Sequence, residues 1–229
     1  MRMPSLSTSA RRLVHSFGLY LLAWLGVHPE TVSLAAVWRQ VLDALKAALG
    51  VSESAAERLI LARAALNYAD MRLDDSVRVV AAAARTDLGG RAEGPDWERL
   101  FHVMPGEVVR LPIAEEVAEV RRLEAEVASG AVWVSARARL ADLAAARQGV
   151  EDADAERRAA EEALEMADRR LRDVVGQWRL QYRAIFGNLT ERFPGKPELV
   201  EGFFYHPQDG PVEGAPTPTT PPAAPPATA

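Results

Sequence analysis

Apolar residues recur along this chain every three to four positions, and over two stretches the recurrence settles to seven. Leu59, Leu66, Leu73 and Val80 form one series, with Ala62, Ala69, Ser76 and Ala83 between them. Leu164, Leu171, Trp178 and Ile185 form the second. Large and small positions alternating on a seven-residue period predict helices packed along a seam, where the small side chains let a neighbour approach closely. Shorter helical patterns lie on either side. Leu13, Phe17, Tyr20, Leu21 and Trp24 predict a helix over 9–25, and Val37, Val41, Leu45 and Ala48 one over 30–49. Val117, Val120, Leu123 and Val127 predict a helix from Ile113, weakened at Ser129-Gly130 and continuing to about Arg147.

Breaking residues set the expected boundaries. Gly26 and Pro29 interrupt the first arm, and Pro29 suits the first turn of a new helix because its missing N–H had no intrahelical partner. Gly50 is expected to stop a helix and Ser52 to cap the next, which runs to Leu88 before Gly89-Gly90. Glycines and prolines over 89–112 exclude a long helix there; Asp96 can cap one short turn whose Trp97, Leu100 and Phe101 plug a bundle end. Gly149 is expected to turn the chain into a last long helix over 151–189. Turns at 50–51 and 148–150 would make antiparallel hairpins with arms of roughly 36 residues, about 54 Å at ~1.5 Å per residue.

The sequence also repeats itself. Residues 65–77 read ALNYADMRLDDSV and residues 163–175 read ALEMADRRLRDVV, an offset of 98 with the shared pattern A-L-x-x-A-D-x-R-L-x-D-x-V. Arg85 then matches Arg183 and Gly89 matches Gly187, and each copy ends in F-x-x-x-P, at Phe101–Pro105 and Phe203–Pro207. A repeat of this size is a supersecondary unit that cannot bury its apolar face alone. The expected fold is therefore all-α. It is an internally duplicated long helical hairpin forming an elongated antiparallel four-helix bundle, its first arm broken near Gly26–Pro29. The expected divisions are a disordered lead at 1–8, repeat one at 9–105, a linker at 106–112, repeat two at 113–207, and a disordered Pro-rich tail at 208–229.

Composition narrows the functions. The 229 residues are 48% hydrophobic, enough for a sizeable core, and carry a net charge of -5. An acidic chain lacks the electrostatic footprint of a nucleic-acid binder, and its Arg clusters are interleaved with Asp and Glu as on a solvated helix face. There is no Cys, which removes disulfides, thiolate metal sites and Cys nucleophiles together.

The search for chemistry is mostly negative. His15, His28, His102 and His206 are the only histidines and none belongs to a Glu-x-x-His motif, so no carboxylate–histidine metal site is expected. Neither G-x-S-x-G nor a P-loop occurs. No catalytic residue and no cofactor are expected. The shared Asp70/Asp168 and Arg72/Arg170 fall on the flanks of the seam and are expected to be structural charge pairs, with local pairing of Arg72 to Asp75 and Arg169 to Asp173. The competing reading is a symmetry-related carboxylate pair at the bundle centre. Phe203, Phe204 and Tyr205 are candidates for docking a partner, since three successive aromatics cannot all face one side of a helix; the bland alternative is that they close their own repeat's open end.

The N-terminal stretch has two readings. Arg2, Arg11 and Arg12 precede an apolar run over 13–27 that is too short to span a bilayer but resembles the start of a signal peptide. No suitable cleavage site follows, so a core helix in a cytoplasmic protein is expected. Export or membrane contact through residues 10–26 is the alternative. The expected function is that of a scaffold, adaptor or assembly subunit with a protein partner or self-association. A ligand-binding bundle or enzyme with an unrecognised site remains as a further alternative.

Overall fold

The computed structural model describes residues 3–205. The expected Pro-rich tail and Pro207 lie outside the described residues. The order of elements is α1 (Ala10–Arg12), a π-helical segment (Leu13–Gly18), α2 (Leu19–Val27), a 3-10 turn (Pro29–Thr31), α3 (Val32–Asp87), α4 (Pro95–Leu100), α5 (Pro105–Val108), α6 (Ile113–Ser129), α7 (Val134–Arg137), α8 (Leu140–Arg192) and α9 (Pro197–Gly202). Among the described residues there is no strand, and the all-helical bundle expected from the sequence is what the structure shows.

Two expected breaks are absent. The chain stays helical through Gly50 in the 56 residues of α3 and through Gly149 in the 53 residues of α8. Neither glycine has the positive φ of a helix stop. A helical glycine costs only about 1 kcal/mol against Ala, and packing along the rest of so long a helix outweighs that. Ser52 is accordingly no cap: its hydroxyl donates across to Asp168 at 2.6 Å. The breaks at Gly26–Pro29 and Ser129-Gly130 do occur, so the expected run to Arg147 is cut short, with α7 intervening before α8.

The chain forms two compact units, Met1–Leu49 with Leu171–Ala229, and Gly50–Arg170. Both cut across the expected repeats 9–105 and 113–207.

In the first unit, Leu13, Phe17, Leu21 and Leu25 pack with Trp38, Leu42 and Leu45 of α3 and with Trp178, Tyr182, Ile185 and Leu189 of α8. Of the expected α3 stripe Leu45 and Ala48 are buried, but one turn earlier the buried positions are Trp38 and Leu42 rather than Val37, which is half-exposed, and Val41. The cause is visible at Gly18, whose carbonyl accepts the Trp38 indole N–H at 2.9 Å. A Cβ on Gly18 would sit 2.5 Å from Leu42 Cδ1 and 3.0 Å from the Leu13 carbonyl oxygen, so only glycine lets the π-helical segment come this close. Residues 4 and 5 of the N-terminal lead contact α8. Arg179 donates to the carbonyls of Pro4 at 2.7 Å and Ser5 at 2.6 Å.

In the second unit, Leu66, Leu73, Val77 and Val80 of α3 pack with Val120, Leu123 and Val127 of α6 and with Leu143 and Val150 of α8. Trp97, Leu100 and Phe101 are buried in this core, as the plug reading expected. Ser52 meets Asp168, and Asp87 meets Ser135 just before α8, so α3 and α8 run antiparallel here. Asp87 accepts the N–H groups of Ser135 and Ala136 at the start of α7. Burial raises its carboxyl pKa, but these hydrogen bonds outweigh burial and hold it below the usual value.

Candidate functional site

Two features of α3 within the second unit stand apart from ordinary packing: a group of carboxyls on its inner flank and an apolar stripe on its outer face.

The carboxyl group is built from one turn of α3 and the first turn of α6. Asp70 and Asp74 are four residues apart and so share a face of α3. Glu116, 1% exposed, comes from α6 and points at both. Burial pushes the Glu116 carboxyl up to about 8, and the charges of Asp70 and Asp74 add to the effect. Both effects favour the protonated form of Glu116 where it faces the two aspartates. Burial also raises Asp74, with Asp70 adding and Arg78 opposing. Glu116 Oε1 and Asp74 Oδ1 are buried without a hydrogen-bond partner. Chemically this is a cluster of three carboxyls gathered around the buried Glu116. Among the described residues no group of three or more His, Asp or Glu side chains is placed to hold a metal ion.

The stripe lies on the opposite side of the same helix. Ile60, Leu61, Tyr68 and Met71 are 64–69% exposed, and Ala64 and Ala65 between them are exposed as well. At 100° per residue these six positions share one arc of about 140°, turned away from Leu59, Ala62, Leu66 and Leu73 in the core.

The residues singled out from sequence are scattered by the fold. Asp70 joins Glu116 and Asp74; Asp168 accepts from Ser52; Arg72 and Arg170 are exposed. Among the described residues no salt bridge joins any two of Asp70, Arg72, Asp168 and Arg170. The expected local pairs are replaced: Asp75 pairs with Arg78 at 3.0 Å, and Arg169 with Glu165. Phe203, Phe204 and Tyr205 are not free for docking. Phe203 and Phe204 are fully buried, and Tyr205 meets Phe17 and Tyr20 at ring distances of 5.3 and 5.7 Å. Because α9 ends at Gly202, the chain turns there and all three rings find partners: Phe203 reaches Trp24 and Phe193, and Phe204 reaches Tyr182 and Phe186.

Glu116 gave no sign in the sequence, since an acidic side chain in the first turn of a helix is ordinarily a solvated partner of the helix dipole. The stripe does leave a signal in the sequence. At the 98-residue offset, Ile60, Leu61, Ala64, Tyr68 and Met71 correspond to Arg158, Ala159, Glu162, Met166 and Arg169, all exposed on α8. One copy of the motif carries a mixed outer face, charged at Arg158, Glu162 and Arg169 and apolar at Ala159 and Met166, and the other an apolar one.

Leu13, Val14, Phe17, Leu21 and Leu25 of the N-terminal stretch are buried in the first core, whereas Leu19, Trp24 and Val27 are exposed. Among the described residues no helix is long and apolar enough to cross a membrane. Comparison with protein-family models, curated proteins and solved structures gave no match to this chain.

Proposed function

We propose that this chain is a non-catalytic helical scaffold or assembly subunit, built on a duplicated long-helix motif, that works through the outer face of α3 between Ile60 and Met71. The supporting observation is the contrast within the chain. The corresponding face of α8 carries Arg158, Glu162 and Arg169 where α3 carries Ile60, Ala64 and Met71, although Met166 is exposed there as Tyr68 is on α3. Contiguous exposed apolar surface of this kind marks association, whereas single exposed apolar residues need no explanation. A cytoplasmic location belongs to this reading, supported over membrane contact through residues 10–26 by the burial of Leu13, Leu21 and Leu25.

The test is affinity capture from the cells that make it, with the full chain and with Leu61→Glu/Tyr68→Glu. The reading expects a stoichiometric protein, this chain or another, to be retained by the first and lost by the second, with unchanged melting of the variant. Retention by both, or by neither, counts against it.

A further inference from the structure

The middle of the stripe, Leu61, Ala64, Ala65 and Tyr68, has the symmetry to pair with itself; in that register Ile60 falls opposite Ala69 and Met71 opposite Arg58. Ala64 and Ala65 sit at its middle, with Ile60 and Leu61 on one side and Tyr68 and Met71 on the other. Small residues at the centre allow two helices to cross at the short end of the ~8–10 Å range, and larger ones on either side can interlock. An antiparallel partner with its twofold axis between Ala64 and Ala65 would set Leu61 against Tyr68 of the second copy, twice over, as an isologous contact requires.

Charge fits the same register. Glu57 and Arg72 border the stripe, on the same arc of α3, and both are exposed. Their neighbours are already engaged inside the chain: Arg58 pairs with Glu156 at 2.7 Å and Arg63 with Glu161 at 3.3 Å. Among the described residues neither Glu57 nor Arg72 has an ion-pair partner. About the axis at Ala64–Ala65, Glu57 faces Arg72 of the second copy at both ends of the contact. Neither charge falls opposite its own kind.

We propose that the outer face of α3 is a homodimer contact, two copies of this chain crossing antiparallel at Ala64–Ala65 with reciprocal Glu57–Arg72 pairs. This rests on the assembly reading above and names the partner. From residue 57 to residue 72 the contact is about 23 Å long at ~1.5 Å per residue. A single helix crossing of that length buries less than the roughly 1,200–2,000 Å² of a tight complex, so the dimer is reversible.

Sedimentation equilibrium of the full chain over a range of concentrations tests this. The wild type is expected to show a reversible monomer–dimer equilibrium. Leu61→Ser with Tyr68→Ser should leave only monomer, with helical content and melting unchanged because both side chains are exposed. Glu57→Arg alone and Arg72→Glu alone should each weaken the dimer roughly tenfold, since each reversal turns two attractions into repulsions. The double reversal, Glu57→Arg with Arg72→Glu, should restore it. A wild type that stays monomeric overturns the proposal, as does a dimer indifferent to these substitutions or a double reversal that fails to rescue. If the wild type is monomeric while a different protein is captured through Leu61 and Tyr68, the assembly reading stands and the self-pairing falls. If nothing is captured either, both fall.

Discussion

Glu116 is a side chain whose protonation state is set by its surroundings and which should in turn set the stability of its unit. Its carboxyl is held near 8 in the folded chain, against an ordinary value of 4.5. A carboxyl raised by folding binds its proton more tightly in the native state, so its contribution to stability is complete below about pH 4.5. That contribution is lost as pH rises through 8. Between those values the loss approaches about 1.4 kcal/mol per pH unit. Asp70 and Asp74 face it from α3, and Arg78 tempers only Asp74. Glu116→Gln keeps the shape and a donor but removes the titration. The variant should melt at nearly the wild-type temperature at pH 5 and clearly above it at pH 8.5, with a flatter profile between. Parallel pH profiles for the two proteins would mean that Glu116 is ionised at neutral pH and that the cluster is solvated.

The elements show which parts of the fold were legible and which were not. The series Leu59, Leu66, Leu73 and Val80 predicted a helix and its buried side together, because a seven-residue recurrence is satisfied by few other structures; all four are buried. Glycine misled because its preference is local. Gly50 and Gly149 were expected to end helices, yet in each case the whole helix decides and the local cost is absorbed. The candidate site was hidden for the opposite reason. Glu116 meets Asp70 and Asp74 only because α6 packs on α3, and no local pattern encodes that meeting. The glycine positions offer a direct check on the continuous helices. A Cβ added at Gly50 or Gly149 would meet nothing within 4 Å, and neither has a positive φ. Gly50→Ala and Gly149→Ala should each stabilise the protein by about 0.5–1 kcal/mol in denaturant titration, through helix preference and a less flexible unfolded chain. Destabilisation by either substitution would restore the turn that the sequence suggested.

On the scale of the whole molecule, the two units differ in how the chain supplies them. The second is one unbroken segment, Gly50–Arg170, whereas the first draws on both ends of the sequence. Trp38 and Trp178, whose rings lie 5.3 Å apart in the first core, are separated in sequence by the whole of the second unit. Each doubling of a loop adds only about 0.6 kcal/mol to the equilibrium cost of closing it, so this arrangement barely affects final stability. Its effect is on the rate, because contacts distant in sequence form late unless something shortens the path between them. Folding of Gly50–Arg170 supplies that shortening, since Ser52 to Asp168 is already a hydrogen bond within the second unit. The second unit should therefore fold first and the first unit should follow. Pulse-labelled hydrogen exchange during refolding should find amides of α6 and of α3 beyond Leu59 protected before those of the π-helical segment and α2. Simultaneous protection of both sets, or earlier protection of residues 13–27, would show that the two ends of the chain meet without help from the segment between them.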